Sequence, residues 1–189
     1  GWAPEQVHWM EQVHGTRLVR VPPMETCPVA DGAWTDVTGH ACVVMTADCL
    51  PVLVCDRAGT RVGVAHAGWR GLAAGVVENL AGIFPDPGDV LAFLGPAIGP
   101  SSFEVGAEVR EAFLATDPEA RIHFESATPL GETWYCDLYG LARQQLNHLG
   151  ITRIYGGDVC TFSDEADFYS YRRDGTTGRM ASLIWLSDG

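Results

Sequence analysis

The stretch TRVGVAHAGWRG, Thr60–Gly71, joins an apolar run to a histidine, which two glycines and an arginine follow. The apolar run is typical of a buried strand, and the spacing of apolar residues over Leu72–Ile83 is typical of a helix. We therefore expect the chain to pass from strand to helix through a turn that carries His66, Gly68 and Arg70. This turn has two interpretations. Either glycine serves the backbone alone and His66 packs in the core, or the imidazole and the guanidinium belong to a binding site.

Strand and helix patterns alternate along the rest of the chain, with Gly or Pro at many of their ends. The predicted strands are Arg17–Val21, Ala41–Thr46, Val52–Asp56, Thr60–Ala65, Val90–Leu94, Ile151–Tyr155 and Ser182–Leu186. The predicted helices are Leu72–Ile83, Val105–Leu114 and Leu138–Leu149. These elements predict a mixed α/β (α+β) fold with a buried sheet core, and a length of 189 residues suits a single domain, 1–189.

The composition excludes several classes of protein. A net charge of −12 disfavours a nucleic-acid binder, because such proteins neutralise phosphates. All 12 basic residues are arginine, which excludes a lysine Schiff base and a Walker-type phosphate loop. No run approaches the ~18 apolar residues of a membrane span, and no basic segment precedes an apolar one at the start. We expect a soluble protein without an export signal that binds neither nucleic acid nor a membrane.

Three side chains that can bind a metal stand where strands end or bend. They are His14 in QVHG, Cys49 in TADCLP and His66 in AHAGWRG. Three protein ligands with an open fourth position are typical of catalytic zinc sites, whereas structural sites close with four. The other five cysteines are scattered without a C-x-x-C pair, which suits buried thiols in a reducing compartment. On residue types alone, a catalytic metal site and three unrelated polar residues near turns both remain open.

The motifs QVHG, DGAWT, TADCLPVL, AHAGWRG, GPAIGPSSFEVG and CTFSDEADFYSYRRDGTTGRMASLI occur in this order between about His14 and Ile184. In combination they resemble the YfiH family, which is also known as a laccase-domain or multicopper polyphenol oxidase family and as a peptidoglycan editing factor. The resemblance implies an αββα-like layered sandwich, a cytosolic location and a zinc site formed by His14, Cys49 and His66. Members of that family have further strands before QVHG, so we expect this chain to lack some residues that line the pocket.

The resemblance also implies an activity on purine nucleosides. It implies phosphorolysis of adenosine, inosine and 5′-methylthioadenosine, together with deamination of adenosine, for which zinc can lower the pKa of a bound water to about 7. We expect phosphate to meet the turn at Gly68 with Arg70, because helix N-termini attract anions, and to meet the second basic cluster, Arg172, Arg173 and Arg179 of YRRDGTTGR. Six histidines without an H-x-H pair do not suit several coppers. Oxidation of phenols is therefore expected only when Cu²⁺ occupies the N/S site.

Two further functions stay open. In a Cys–His hydrolase, Cys49 is the nucleophile and His66 the base, and the substrate is an amide in a murein precursor. The other function is metal binding without catalysis.

Single residues also have structural interpretations. Arg172 or Arg173 can pair with Asp167 or Asp174, Asp31 can form an Asp-Gly turn, and Asp48 can cap a turn, serve as a base or support a ligand. Glu104 is either a base or the acid at the start of a helix. The aromatic residues that can stack on a purine or pack in the core are Trp34, Trp69 and Phe103.

Overall fold

The computed structural model describes residues 3–22 and 27–187. Within these ranges the strands are β1 (Val7–His8), β2 (Leu18–Arg20), β3 (Gly32–Thr35), β4 (Ala41–Thr46), β5 (Leu50–Asp56), β6 (Val62–Ala67), β7 (Val90–Leu94), β8 (Glu104–Gly106), β9 (Phe124–Ser126), β10 (Thr133–Cys136), β11 (Arg153–Gly156) and β12 (Met180–Trp185). The α-helices are α1 (Trp69–Ala73), α2 (Val76–Ala81), α3 (Ala107–Leu114), α4 (Leu138–His148) and α5 (Tyr171–Asp174). Short 3-10 helices begin at prolines and span Pro4–Gln6, Pro87–Asp89 and Pro118–His123.

A six-stranded mixed sheet forms the centre of the fold, with the strand order β11-β7-β5-β6-β3-β2. The inner strands β7, β5, β6 and β3 are antiparallel neighbours, whereas β11 and β2 join the two edges in parallel. The predicted strands Val52–Asp56 and Thr60–Ala65 are present as the antiparallel hairpin of β5 and β6, which pair along nearly their whole length. Two three-stranded sheets have the orders β1-β4-β12 and β8-β10-β9.

Apolar side chains cover both faces of the six-stranded sheet. On one face α2 packs against β5 and β6, and α4 packs against α2. Gly63 of β6 permits this close approach, because a Cβ there would lie 2.9 Å from Cδ1 of Leu80. On the other face β4 packs against β3 and β6 around Val44 and Val64. The mixed α/β layered sandwich predicted from the sequence is therefore present.

The structure corrects two of the predicted helices. Apolar spacing over Leu72–Ile83 predicts one helix, but the chain forms α1 and α2 instead, because Gly75 between them has a left-handed φ of 96°. The helix predicted over Val105–Leu114 begins at Ala107, because Glu104–Gly106 pairs with β10 as a strand. The spacing of apolar residues predicts neither difference. The break at Gly75 depends on backbone conformation, and the later start of α3 depends on pairing with a strand that is distant in sequence.

Other predicted elements are present with shifted ends, and some strands were not predicted. The apolar patterns identify β4, β5, β6, β7, β11, β12 and α4 to within about three residues at each end. The strands without a sequence prediction include β3, whose four residues begin with a glycine. All six cysteines are free thiols, as the sequence predicts, but of the five outside the cluster only Cys42 and Cys136 are buried, whereas Cys27 is exposed and Cys55 and Cys160 are partly exposed. In the described part of the chain, no helix combines the length and the apolar character needed to cross a membrane.

Candidate active site

Three neighbouring strands bring Cys49, His66 and Asp31 to one end of the six-stranded sheet. Cys49 immediately precedes β5, and β5 pairs with β6 in a register that sets Pro51 opposite His66. Asp31 immediately precedes β3 on the other side of β6, and its carbonyl accepts a hydrogen bond of 2.7 Å from the backbone N–H of His66. The strand order therefore places His66 between Cys49 and Asp31.

The loop before β2 brings His14 to the same place. Its φ of 61° is in the left-handed region, where histidine occurs more often than most non-glycine residues. Gly68, the N-cap of α1, fits against this loop, because a Cβ there would lie 2.7 Å from Cδ2 of His14 and 3.0 Å from Sγ of Cys49. Glycine therefore leaves the space that the two side chains need. The helix after this turn begins at Trp69, earlier than the predicted start near Leu72.

His14, Cys49 and His66 form a cluster in which the donor atoms all lie within 4.8 Å of one another. Sγ of Cys49 is 3.7 Å from Nε2 of His14. In a tetrahedral site with Zn–S and Zn–N bonds of ~2.3 Å and ~2.05 Å, this separation is about 3.6 Å. Two imidazole nitrogens and one thiolate suit zinc or copper. The cluster can therefore hold a metal ion, and it consists of the three residues that the sequence predicts as ligands.

The cluster residues change one another's protonation. Burial raises the pKa of the Cys49 thiol, but hydrogen bonds from His14 and His66 outweigh burial and bring this pKa from 9.0 down to about 7. Burial lowers the pKa of His66, but its hydrogen bonds to Asp31 and Cys49 outweigh burial and raise this pKa from 6.5 to about 9. Since the thiolate is both the metal ligand and the nucleophilic form of cysteine, Cys49 is prepared for either role.

A pocket of about 690 Å³ opens over the cluster. This volume falls within the roughly 300–1,000 Å³ of typical small-molecule sites. Beside the cluster, the lining includes apolar side chains and three cations, namely Met10, Met45, Ile98, Phe103, Leu138, Arg70, Arg172 and Arg179. An anionic ligand can therefore meet arginine in the same cavity into which the metal-capable cluster opens.

The neighbouring Arg172 and Arg173 have different surroundings. Nη1 of Arg172 donates to the carbonyl of Glu104 at 2.8 Å, its guanidinium lies 5.2 Å from the ring of Phe103, and it lines the pocket. The guanidinium of Arg173 instead donates to protein acceptors at 2.8–3.0 Å, which belong to Thr161, Phe162, Phe168 and Asp174. Arg173 thus makes the ion pair with Asp174 that the sequence allowed for one of the two arginines. The cation that joins Arg70 and Arg172 in the pocket is Arg179.

Asp48, beside Cys49, joins the cluster to the C-terminal part of the chain. Its carboxylate accepts hydrogen bonds from the hydroxyls of Thr161 at 2.7 Å and Ser170 at 3.1 Å, and from the backbone N–H of Arg172 at 2.7 Å. The side chain is buried, and its φ of 87° is in the left-handed region. These contacts give Asp48 a role beyond those considered from the sequence, as a clamp that sets Arg172 beside the pocket.

The remaining candidates divide between pocket and scaffold. Trp69 and Phe103 line the pocket. Trp34 lies on β3 with the guanidinium groups of Arg20 and Arg61 at 5.6 Å and 5.0 Å from its ring. Glu104 begins β8, and its Oε1 accepts a hydrogen bond of 2.6 Å from the hydroxyl of Thr133 on β10, the strand that pairs with β8. That contact gives Glu104 a cross-strand role, which differs from both roles considered from the sequence.

The sequence matches, over residues 1–187, the family described as "Multi-copper polyphenol oxidoreductase laccase". A Pseudomonas aeruginosa protein named purine nucleoside phosphorylase PA4543 is 54% identical over 181 residues, which cover 95% of this chain and 74% of that protein. The Escherichia coli K12 protein named purine nucleoside phosphorylase YfiH is 52% identical over 188 residues, which cover 98% of this chain and 76% of that protein. This chain therefore spans about three quarters of the length of these relatives.

Solved structures share the same fold. The Neisseria meningitidis protein NMB0706 has a TM-score of 0.93 and 48% identity, over 96% of this chain and 75% of that protein. YlmD from Geobacillus stearothermophilus has a TM-score of 0.91 and 32% identity, over 97% of this chain and 74% of that protein. These similarities confirm the YfiH-type layered α+β fold that the sequence motifs predict.

Proposed function

Because this chain belongs to the YfiH family described as "Multi-copper polyphenol oxidoreductase laccase", and its relatives at 52% and 54% identity are named purine nucleoside phosphorylases, we propose that it phosphorolyses purine nucleosides. The substrates in this proposal are adenosine, inosine and 5′-methylthioadenosine. The products are the free purine and the 1-phosphate of the sugar.

The observation that carries this proposal is the shared pocket of about 690 Å³. The His14–Cys49–His66 cluster lines it, and so do Arg70, Arg172 and Arg179. Phosphorolysis needs an anion site and a sugar site in contact, and guanidinium groups bind phosphate through several N–H donors at once. A cavity with both features suits a nucleoside and a phosphate held side by side.

The proposed reaction forms one bond and breaks another at the sugar. A phosphate oxygen attacks C1′ of the ribose, the C1′–N9 bond breaks, and the purine takes the electron pair and a proton. Arg70, Arg172 and Arg179 hold the phosphate and offset its charge, whereas Phe103 supplies an apolar surface for the base. The phosphate is expected to lie nearer to Arg172 than to Arg173, whose guanidinium is already bonded to protein acceptors.

Zinc is the metal that we propose for the cluster, with His14, Cys49 and His66 as its protein ligands. When bound, such an ion supplies Lewis-acid chemistry, since it lowers the pKa of a coordinated water and polarises oxygen atoms. We propose deamination of adenosine as a second reaction of the same pocket, in which water replaces the 6-amino group and ammonia leaves. Cu²⁺ competes for N/S donors, so oxidation of phenols is expected as a property of copper-loaded protein.

A Cys–His amide hydrolase is the second candidate, and a specific arrangement favours it. Nδ1 of His66 lies 2.8 Å from Oδ1 of Asp31, and the pKa of Cys49 falls to about 7. This order of nucleophile, base and orienting carboxylate is typical of cysteine hydrolases. In that reaction the thiolate attacks an amide carbonyl, the amine leaves with a proton from His66, and water then hydrolyses the thioester. Such a hydrolase needs neither phosphate nor metal, which separates it from the phosphorylase.

The free thiols bear on location. All six cysteines are unpaired, and proteins of the cytoplasm keep their thiols reduced. We therefore propose a cytoplasmic enzyme with small-molecule nucleosides and phosphate as its partners.

Chromatography of adenosine reactions tests the proposed function. Zinc-loaded protein is incubated with adenosine, with or without phosphate, beside the Cys49→Ala variant. We expect adenine and ribose 1-phosphate only when phosphate is present, inosine with or without phosphate, and none of these three products from the variant. A folded, zinc-loaded protein that yields no free base would contradict the phosphorylase. Cleavage of a murein peptide amide by the metal-free protein would then favour the hydrolase.

A further inference from the structure

We propose that Asp31 is a positioning residue that holds both histidine ligands of the cluster in place. The sequence alone allows Asp31 a simple turn with Gly32. In the structure its side chain is fully buried, and its two oxygens accept hydrogen bonds from the backbone around His14 and from the ring of His66. One carboxylate therefore contacts the surroundings of two ligands that are 52 residues apart in sequence (66 − 14).

The first contact is with the backbone that carries His14. The N–H groups of Val13 and Gly15 donate to Oδ2 of Asp31 at 3.2 Å and 2.6 Å, and the N–H of His14 donates to Oδ1 at 2.8 Å. Three successive N–H groups that converge on one anion form a backbone nest. The left-handed φ of His14 is unfavourable without such support. The carboxylate thus fixes the direction in which the His14 ring leaves the loop.

The second contact is with the ring of His66. Nδ1 of His66 lies 2.8 Å from Oδ1 of Asp31, and both side chains are buried. A carboxylate accepts hydrogen bonds and does not donate them, so the proton of His66 is held on Nδ1. Nε2 is then the nitrogen left to bind a metal. Such carboxylate–histidine pairs fix the ring orientation of metal ligands and raise their basicity.

A carboxylate is required here because every partner is a donor. Three backbone N–H groups and the Nδ1–H of His66 point at the two oxygens of Asp31. An asparagine amide has one oxygen and one NH₂ group, so the NH₂ group would face donors. Asp31→Asn is nearly isosteric and therefore tests the charge and the acceptors with little change in packing.

The test measures zinc affinity by competition with a chromophoric chelator, in the wild-type protein and in Asp31→Asn. Asp36→Asn is the matched control, since Asp36 lies at the other end of β3 and pairs with Arg20 on the surface. We expect Asp31→Asn to lower zinc affinity about 10–100-fold, with Asp36→Asn within about twofold of wild type. The thiolate-to-cobalt absorption of Co²⁺-loaded Asp31→Asn should also change in position or intensity. Unchanged affinity and an unchanged cobalt spectrum would overturn the role.

A second measurement on the wild-type protein covers the case in which Asp31→Asn does not fold. Long-range ¹H–¹⁵N spectra of the zinc-loaded protein report which nitrogen of His66 carries the proton. We expect Nδ1–H, and a proton on Nε2 would overturn the proposal. The inference rests on the metal site of the proposed function. Both measurements need no turnover, so a protein that binds zinc through these residues but releases no purine would contradict the proposed function alone. A wild-type protein that binds no zinc would overturn this inference as well.

Discussion

Two buried carboxylates, Asp31 and Asp48, support different groups of the same pocket. Asp31 accepts its hydrogen bonds from the His14 loop and from the ring of His66, so it arranges the residues that can bind a metal. Asp48 accepts from Thr161, from Ser170 and from the backbone of Arg172, so it arranges a residue that brings positive charge to the pocket. Burial of a carboxylate shows only that its charge is compensated by hydrogen-bond donors, because an uncompensated buried charge is costly. The identity of its donors shows which part of the site it supports.

Both carboxylates also accompany strained backbone. His14, held by Asp31, and Asp48 itself have φ values of 61° and 87°. Such conformations cost of order 1–3 kcal/mol for non-glycine residues and persist where surrounding contacts enforce them. Both strained residues line the pocket, but they belong to different sets of hydrogen bonds, so we expect the metal-capable cluster and the arginines to respond separately to substitution.

The largest effect is expected for Cys49→Ala, compared with Cys160→Ala. Loss of a residue that hydrogen-bonds to a metal ligand lowers metal affinity or activity about 10–100-fold. Loss of the ligand itself should therefore lower the rate of phosphorolysis by more than about 100-fold. Cys160, whose sulfur accepts from Gly99 and Ser163 away from the pocket lining, should be replaceable with less than about twofold change. Rates and zinc content of both purified variants check this. Equal losses of activity and zinc in the two variants would contradict the assignment of Cys49, rather than Cys160, as a metal ligand.

The next effect concerns the arginines, and it compares Arg172→Ala with Arg173→Ala. A hydrogen bond to a charged group is worth about 1.5–3 kcal/mol, so we expect Arg172→Ala to raise the KM for phosphate about 10–100-fold with little change in stability. Arg173→Ala leaves the partly buried carbonyls of Thr161, Phe162 and Phe168 without this donor and should lower the free energy of unfolding. Phosphate titrations and urea unfolding measure the two quantities. The opposite pattern would exchange the roles assigned to the two residues.

A smaller effect is expected for Asp48→Asn, which tests the second carboxylate directly. The amide keeps one acceptor for Thr161 but weakens the hold on the backbone of Arg172. We expect the KM for phosphate to rise about tenfold, equivalent to about 1.4 kcal/mol, while zinc affinity changes by less than about threefold. Zinc competition and phosphate titration of the same preparation separate the two. If Asp48→Asn lowered zinc affinity as much as Asp31→Asn does, both carboxylates would support the metal-binding cluster, and the separation of their roles would be wrong.

The smallest effect is a pH dependence at Cys160, which lies outside the pocket lining next to Thr161, a donor to Asp48. Burial raises the pKa of Cys160, but hydrogen bonds with Ser163, Ser102 and Gly99 outweigh burial and lower this pKa from 9.0 to about 7. A lowered pKa in the folded state contributes stability above the unfolded value of about 9, and this contribution is lost as the pH falls through about 7. The stability difference between wild type and Cys160→Ala should therefore grow from pH 6.5 to pH 8.5. A constant difference across this range would contradict the shift.

The sequence predicts the three cluster residues because their types and motifs are local. It does not predict the role of Asp31, because that role depends on β3, a four-residue strand with a glycine at its start, and on the pairing of β3 with β6. It also does not separate Arg172 from Arg173. These residues are adjacent in α5, and only the surrounding carbonyls show which guanidinium is already bonded.

The break in the predicted helix over Leu72–Ile83 has a similar cause. Apolar side chains keep helical spacing on both sides of Gly75, so periodicity predicts a single helix. The left-handed φ of Gly75 is a backbone property that any glycine permits and that tertiary packing selects. The family motifs therefore indicated the three cluster residues, whereas backbone conformation and long-range pairing decide how these residues are brought together.

The measurement that most directly tests metal-dependent phosphorolysis in this pocket is a zinc titration of the metal-free protein. Ribose 1-phosphate formed from adenosine and phosphate is measured at each zinc addition. We expect turnover to rise in proportion to zinc and to level off at one zinc per chain, with Cys49→Ala inactive throughout. Turnover that is independent of zinc or of phosphate, or a fully active Cys49→Ala, would contradict the proposed function.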